Sequence, residues 1–265
     1  MAVNEPGPPQ CSRGRVGSNP KFGTALVAGM GEAGMGDTGT AAALKGSALG
    51  QGGTNRARRT LAEVHRVLTQ MKGLYDPGEA VDELSHALQC ATLAVEACAP
   101  AALVAAALLH DVGRHAAVAG ASREAQRRVR REGTEPQPGV HGDGTEPQPW
   151  GGATGREVPH EIAGARWLRP RFGQKVAWLV MAHVPAKMYL AQNEPGYLSY
   201  LSGVSLASLA RQTGHHPALG RLSAHPWWEE ALMVRRWDDM AKVPGARTMS
   251  LTEAVSRIAG VAVGD

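Results

Sequence analysis

The chain is 265 residues long, enough for one substantial domain with extensions. Hydrophobic residues make up 43% of it and aromatics only 5%, so a core has to be assembled from Ala, Leu and Val. That favours packed helices over an aromatic-rich β-sandwich. A balance of 28 basic against 24 acidic residues leaves a formal charge of +4, too weak and too dispersed for a nucleic-acid surface.

Residues 1–56 are rich in Gly, Ala, Pro and Ser, with short repeats such as Gly29-Met30-Gly31 and Gly34-Met35-Gly36. No helical or strand period runs through them, and such a composition cannot offset its ordering entropy, so a disordered extension is expected. It lacks the basic and apolar regions of a secretory signal. Its scattered Arg and Lys and few acids leave an organellar transit segment as the alternative to a cytoplasmic protein. Three cysteines are too few for a disulfide framework and point to a reducing compartment.

Residues 58–72 carry Leu61, Val64, Leu68 and Met71 at helical spacing. Asp76-Pro77-Gly78-Glu79 then reads as a capping box, opening a helix that should run to about Ala97. The apolar run between Glu96 and Asp111 is broken by Pro100 and too short to span a bilayer; 101–110 reads as a buried helix. From about 119 to 157 the composition changes. The hexapeptide at 133–138 (Gly-Thr-Glu-Pro-Gln-Pro) recurs at 144–149, and Arg123, Arg127, Arg128, Arg130 and Arg131 precede it. This reads as an inserted, solvated loop. Further helices fit 159–168, 174–183, 203–211, 227–241 and 251–259, the last opened by a capping box from Ser250 to Glu253. No segment sustains β alternation. The expected fold is an all-α helical bundle over 57–265, interrupted by the insert.

Chemistry concentrates in six positions. His86, His110, His160 and His183 lie in helical contexts beside apolar or small residues, Asp111 follows His110, and Asp238 opens the pair Asp238-Asp239. Imidazole nitrogen with carboxylate oxygen suits Fe, Mn, Co or Zn. Four nitrogens and two carboxylates exceed the needs of one open catalytic metal and suit two, with Asp111 as the natural bridge. Any one of these histidines taken alone is more ordinarily a hydrogen-bonded core residue. The pair His110-Asp111 is different, because it ends the most hydrophobic segment, where unpartnered polar groups are costly. His141, His215, His216 and His225 read as surface residues.

The order His86, His110-Asp111, His160, His183, Asp238 resembles the HD-domain superfamily of helical metalloenzymes. The surrounding words narrow it: Ser85-His86-Ala87-Leu88-Gln89-Cys90-Ala91, Leu108-Leu109-His110-Asp111-Val112-Gly113, His160-Glu161-Ile162-Ala163-Gly164-Ala165, His183-Val184-Pro185-Ala186-Lys187 and Arg235-Arg236-Trp237-Asp238-Asp239-Met240-Ala241-Lys242. Together they are similar to the mixed-valence di-iron oxygenases of organophosphonate catabolism, over about 75–243.

That resemblance implies an Fe(II)/Fe(III) pair, with O2 as co-substrate. One iron would take His86, His110, Asp111 and Asp238, the other Asp111, His160 and His183. The substrate would be a 2-amino-1-hydroxyethylphosphonate or its trimethylammonio analogue, cleaved at the C–P bond to phosphate and glycine or glycine betaine. Lys187, one helical turn after His183, would face the phosphonate. An exposed lysine is the ordinary alternative. Ser205 and Gln212 fall where the family places polar substrate contacts. Tyr75 and Glu79 match its lid, Tyr capping an iron and Glu meeting the amine, although the gap between them is one residue longer here. Glu79 also fits as the third residue of the capping box. Where relatives carry a His after the HD turn, this chain has Arg114 and then His115, either of which could contact phosphonate. Asp238 and Asp239 point about 100° apart on a helix, so one should reach the metal; an Arg235–Asp239 pair would free Asp238.

The implied partner is a small organophosphonate, with no nucleic acid and no membrane; oligomeric state is open. A metal-dependent phosphohydrolase of the same superfamily would use the same six ligands, and a non-catalytic helical module is the third class.

Overall fold

The computed structural model describes residues 48–131, 158–212 and 219–263, and among them no strand forms. Among the described residues nine α-helices follow one another: α1 (Ala48–Gln70), α2 (Glu83–Glu96), α3 (Ala101–Leu109), α4 (Ala116–Arg131), α5 (His160–Asn193), α6 (Gly203–Arg211), α7 (Leu219–Ser223), α8 (Trp228–Met240) and α9 (Leu251–Arg257). The all-α bundle is therefore as expected. The greater part of the Gly- and Ala-rich extension, both copies of the hexapeptide repeat, and His141, His215 and His216 lie outside the described residues.

Several boundaries differ from the sequence reading, and the helix expected at 174–183 runs on to Asn193. Helix α1 starts at Ala48, so the end of the extension assigned to 1–56 is helical. Asp76–Glu79 is a turn, closed by the Glu79 N–H donating to the Asp76 carbonyl at 2.9 Å, with Gly78 at φ +91°. Helix α2 is capped instead by Asp82, whose carboxylate accepts from the Ser85 N–H at 2.7 Å. Glu79 is thereby released from any capping duty. Residues 119–131, assigned to the insert, continue α4; Val118 and Ser122 are buried.

The core is built around α3, where Leu103 to Leu109 are at most 3% exposed. α2 and α5 pack on α3, and α8 packs on α5 and α2. Burying each Leu contributes about 1.5–3 kcal/mol. This local surplus offsets the cost of holding His110 and Asp111, at the end of α3, away from water. α5 breaks at Gly173, at φ +79° and ψ −179°, where the sequence separates two helices. Beyond the break, 176–188 is buried throughout, Lys187 included. Arg171 holds α5 to α1 through Glu63, both nitrogen–oxygen pairs at 3.0 Å. The capping box at Ser250 forms as expected, with the Glu253 N–H donating to its hydroxyl at 3.1 Å. No single helix among the described residues is long and apolar enough to cross a membrane.

Candidate metal centre and substrate pocket

Four elements deliver the six expected ligands to one place. His86 lies on α2, His110 and Asp111 follow α3, His160 opens α5, His183 sits beyond the α5 break, and Asp238 is near the end of α8. A close backbone approach positions His160. A Cβ on Gly113 would lie 1.9 Å from the His160 carbonyl oxygen and 2.6 Å from the Gly164 nitrogen. Only glycine lets the turn at Val112–Arg114 lie against the start of α5 in this way.

The imidazoles are oriented for a cation. Nδ1 of His86 donates to the Ala241 carbonyl at 2.9 Å, that of His110 to Ala107 at 2.9 Å, and that of His183 to Val180 at 2.6 Å. His160 Nδ1 lies 3.3 Å from a Glu161 oxygen. A carbonyl only accepts, so Nδ1 carries the hydrogen and Nε2 keeps its lone pair. These Nε2 atoms converge in pairs, His86 with His110 at 3.1 Å and His160 with His183 at 3.3 Å. Two lone pairs so close repel unless a cation lies between them.

Asp111 faces both pairs. Its Oδ1 lies 3.1 Å from His160 Nε2 and 3.8 Å from His183 Nε2; its Oδ2 lies 3.5 Å from His110 Nε2. Oδ1 is buried without a hydrogen-bond partner, as a ligand oxygen would be. Asp238 Oδ1 lies 3.2 Å from His86 Nε2 and 3.7 Å from His110 Nε2. The donor set thus fits two adjacent metal ions sharing Asp111. Cys90 Sγ, 3.9 Å from His86 Nε2, adds a soft atom at the edge of one pair.

An arginine holds one oxygen of each of these carboxylates. Arg114 Nε is 3.0 Å from Asp111 Oδ2, and Arg235 Nη1 donates to Asp238 Oδ2 at 2.7 Å. Burial pushes both carboxyls up, but Arg114 and His110 at Asp111, and Arg235 and His110 at Asp238, hold them well below the usual carboxylate range. Arg235 also holds Asp239, which accepts from the Tyr197 hydroxyl. Asp239 is thus turned from the metal side and Asp238 toward it, although Arg235 binds both aspartates and not Asp239 alone.

The cavity over these ligands is lined by Glu79, Glu83, Arg114, Lys187, Ser205, Ser208 and Lys242, among others. Lys187 is 3% exposed and donates to the Ser208 hydroxyl at 3.0 Å. Burial, then the charge of Arg235, lowers its pKa to about 8. Glu79 receives Lys242 Nζ at 2.6 Å and the Ser202 hydroxyl at 2.8 Å on one oxygen, and Lys242 also donates to Ser205 at 3.0 Å.

Three expected residues stand apart. Tyr75 is 58% exposed and does not line the cavity; the turn at Asp76–Glu79 gives that place to Asp76, which binds Arg114 at 3.0 Å. His115 lies outside the lining, its Nδ1 accepting from the Ala117 N–H at 3.3 Å and its ring facing the charge of Arg66. Gln212 caps the C-terminus of α6, a turn beyond Ser208, and is also outside the lining. His225, assigned to the surface, stacks on Trp178 with centroids 4.0 Å apart.

The sequence reading missed Ser208 and Glu83. Ser208 is three residues after Ser205 and Glu83 three before His86, so each shares a helix face with a residue that was found. Burial and then the charge of Asp111 push Glu83 up to about 7.

A helical bundle that gathers this His and Asp set has the arrangement of an HD-domain protein with a candidate metal site. No model of a known protein family matches the chain. It is similar, however, to a hydroxymethylphosphonate dioxygenase of Gimesia maris, with 32% identity over 184 residues, 69% of this chain and 77% of that protein. It is also similar to a [1-hydroxy-2-(trimethylamino)ethyl]phosphonate dioxygenase (glycine-betaine-forming) of Leisingera caerulea, with 29% identity over 167 residues, 62% and 71% of the two chains. The chain belongs to the HD-domain phosphonate oxygenases.

Proposed function

We propose that the chain is a di-iron, O2-dependent oxygenase that cleaves the C–P bond of a 1-hydroxyphosphonate. The observation that carries this reading is the convergence of two Nε2 pairs on the two oxygens of Asp111, a donor set for two ions, in a relative of phosphonate dioxygenases. The reaction balances without an external reductant. The C1–H and C1–P bonds break, both atoms of O2 enter the products, and a carboxylate, phosphate and a proton are released. With 2-amino-1-hydroxyethylphosphonate the carboxylate is glycine.

His86, His110, Asp111 and Asp238 would hold one iron, and Asp111, His160 and His183 the other. When bound, the pair supplies Lewis acidity and the redox capacity to use O2. The protein's own groups bind and orient. Lys187, with Ser208, offers a cation and a hydroxyl to the phosphonate oxygens. Arg114 and Arg235 fix the ligand carboxylates and keep them ionised. Ser205 and Lys242 complete the anion-facing wall.

The test is elemental analysis and turnover of protein expressed with iron, assaying phosphate with and without O2. Two irons per chain and O2-dependent phosphate release are expected. Phosphate release without O2 would move the chain to the phosphohydrolases, and failure to bind iron would overturn the reading.

A further inference from the structure

Charges lining the pocket can be matched one against another. Asp76 and Asp111 are paired with Arg114, Asp238 with Arg235, and Glu79 with Lys242. Two lining groups are left without an opposite charge at ion-pair distance. Lys187 Nζ has only the Ser208 hydroxyl, and the Glu83 carboxylate has no hydrogen-bond or ion-pair partner among the described residues, its Oε2 being buried and unsatisfied. These unmatched groups have opposite signs. Glu83 lies one helical turn before His86 and Lys187 one turn after His183, so each flanks a different histidine pair. A pocket with one unmatched cation and one unmatched carboxylate complements a molecule with an anion at one end and a cation at the other.

Resting on the oxygenase reading above, we infer that Glu83 is a specificity-determining residue that receives the primary ammonium of a 2-amino-1-hydroxyphosphonate. The resemblance places this role at Glu79, but here Lys242 and Ser202 already occupy one oxygen of Glu79, and an ammonium placed there would meet a second cation. The charges of Asp111 and Asp76 act on Glu83 against those of Arg114 and His86, and with its burial the balance leaves the carboxylate short of positive charge. The shape of the lining selects the kind of amine. It contains no Phe, Tyr or Trp among the described residues, so no ring cage meets a quaternary ammonium, whereas a primary ammonium can donate to an unsatisfied carboxylate oxygen.

The experiment compares iron-loaded wild type, Glu83→Gln and Glu79→Gln on 2-amino-1-hydroxyethylphosphonate and on hydroxymethylphosphonate, which has no amine. Wild type is expected to favour the aminated substrate. Glu83→Gln should raise its KM roughly tenfold or more, and leave the KM of the amine-free substrate unchanged. Dissociation constants measured without O2 should split in the same way. Turnover of the amine-free substrate doubles as the control for folding. An equal change for both substrates, a wild type that favours the amine-free one, or a split that follows Glu79→Gln would overturn the inference. Turnover of neither substrate by wild type would overturn the oxygenase reading itself, and this inference with it.

Discussion

Arg235 grips the outer oxygen of Asp238 at 2.7 Å, which leaves the inner oxygen turned to His86 and His110. The guanidinium is 4% exposed and holds Asp239 as well. Removing it with Arg235→Met strands two buried carboxylates. A loss of about 3–5 kcal/mol is expected in denaturant unfolding. Arg235→Lys should recover part of it, because an ammonium restores the charge without the fork.

Asp111 and His160 should differ in metal stoichiometry. Asp111 faces both histidine pairs, whereas His160 belongs to one. Asp111→Ala is expected to lower metal content at both positions, and His160→Ala at one. Elemental analysis of the purified variants reads the difference, and equal losses would remove Asp111 from its bridging place.

Lys187 sets a pH limit on substrate binding. Its pKa is lowered from 10.5 to about 8, so the ammonium is lost as pH rises through about 8. KM for the phosphonate should climb above that pH in wild type and stay flat in Lys187→Arg, which keeps its charge. The sign for stability is opposite. Between about 8 and 10.5 the unfolded chain binds more protons at this position than the folded one, so this group's contribution to stability rises with pH.

Asp82 and Asp76 separate a cap from a site contact. Asp82→Ala removes the carboxylate that caps α2 and should cost about 1 kcal/mol. Asp76→Ala leaves α2 capped and frees Arg114 Nη1 from its 3.0 Å partner. Thermal unfolding should distinguish them, with the larger drop for Asp82→Ala.

How much of this was legible in the sequence depends on the range of the signal. The helices, and the six His and Asp residues that the structure brings together, were legible because each rests on a local word: an apolar period, a cap such as Ser250 with Glu253, or His110-Asp111 at the end of an apolar run. The α2 start was misplaced because Asp76-Pro77-Gly78-Glu79 and Asp82 through Ser85 are both adequate local signals. Only packing, with Gly78 at φ +91°, decides between them. Residues 119–131 were taken for insert because of their arginines, yet Ser122 finds a buried side. The pairing of Glu79 with Lys242 joins residues 163 positions apart, and no local pattern encodes it. The same holds for the isolation of Glu83, which is defined by what its neighbours are bound to.

Because Gly113 lies directly against the backbone of His160 and Gly164, the residue that opens α5 is located by this contact. Gly113→Ala should therefore cost about 3 kcal/mol and lower metal occupancy as well, since both partners are backbone and cannot yield. The converse concerns the peptide between α4 and α5. A change in the length of that connection should leave His160 in place, because Gly113 docks it from the side like a part on a locating pin.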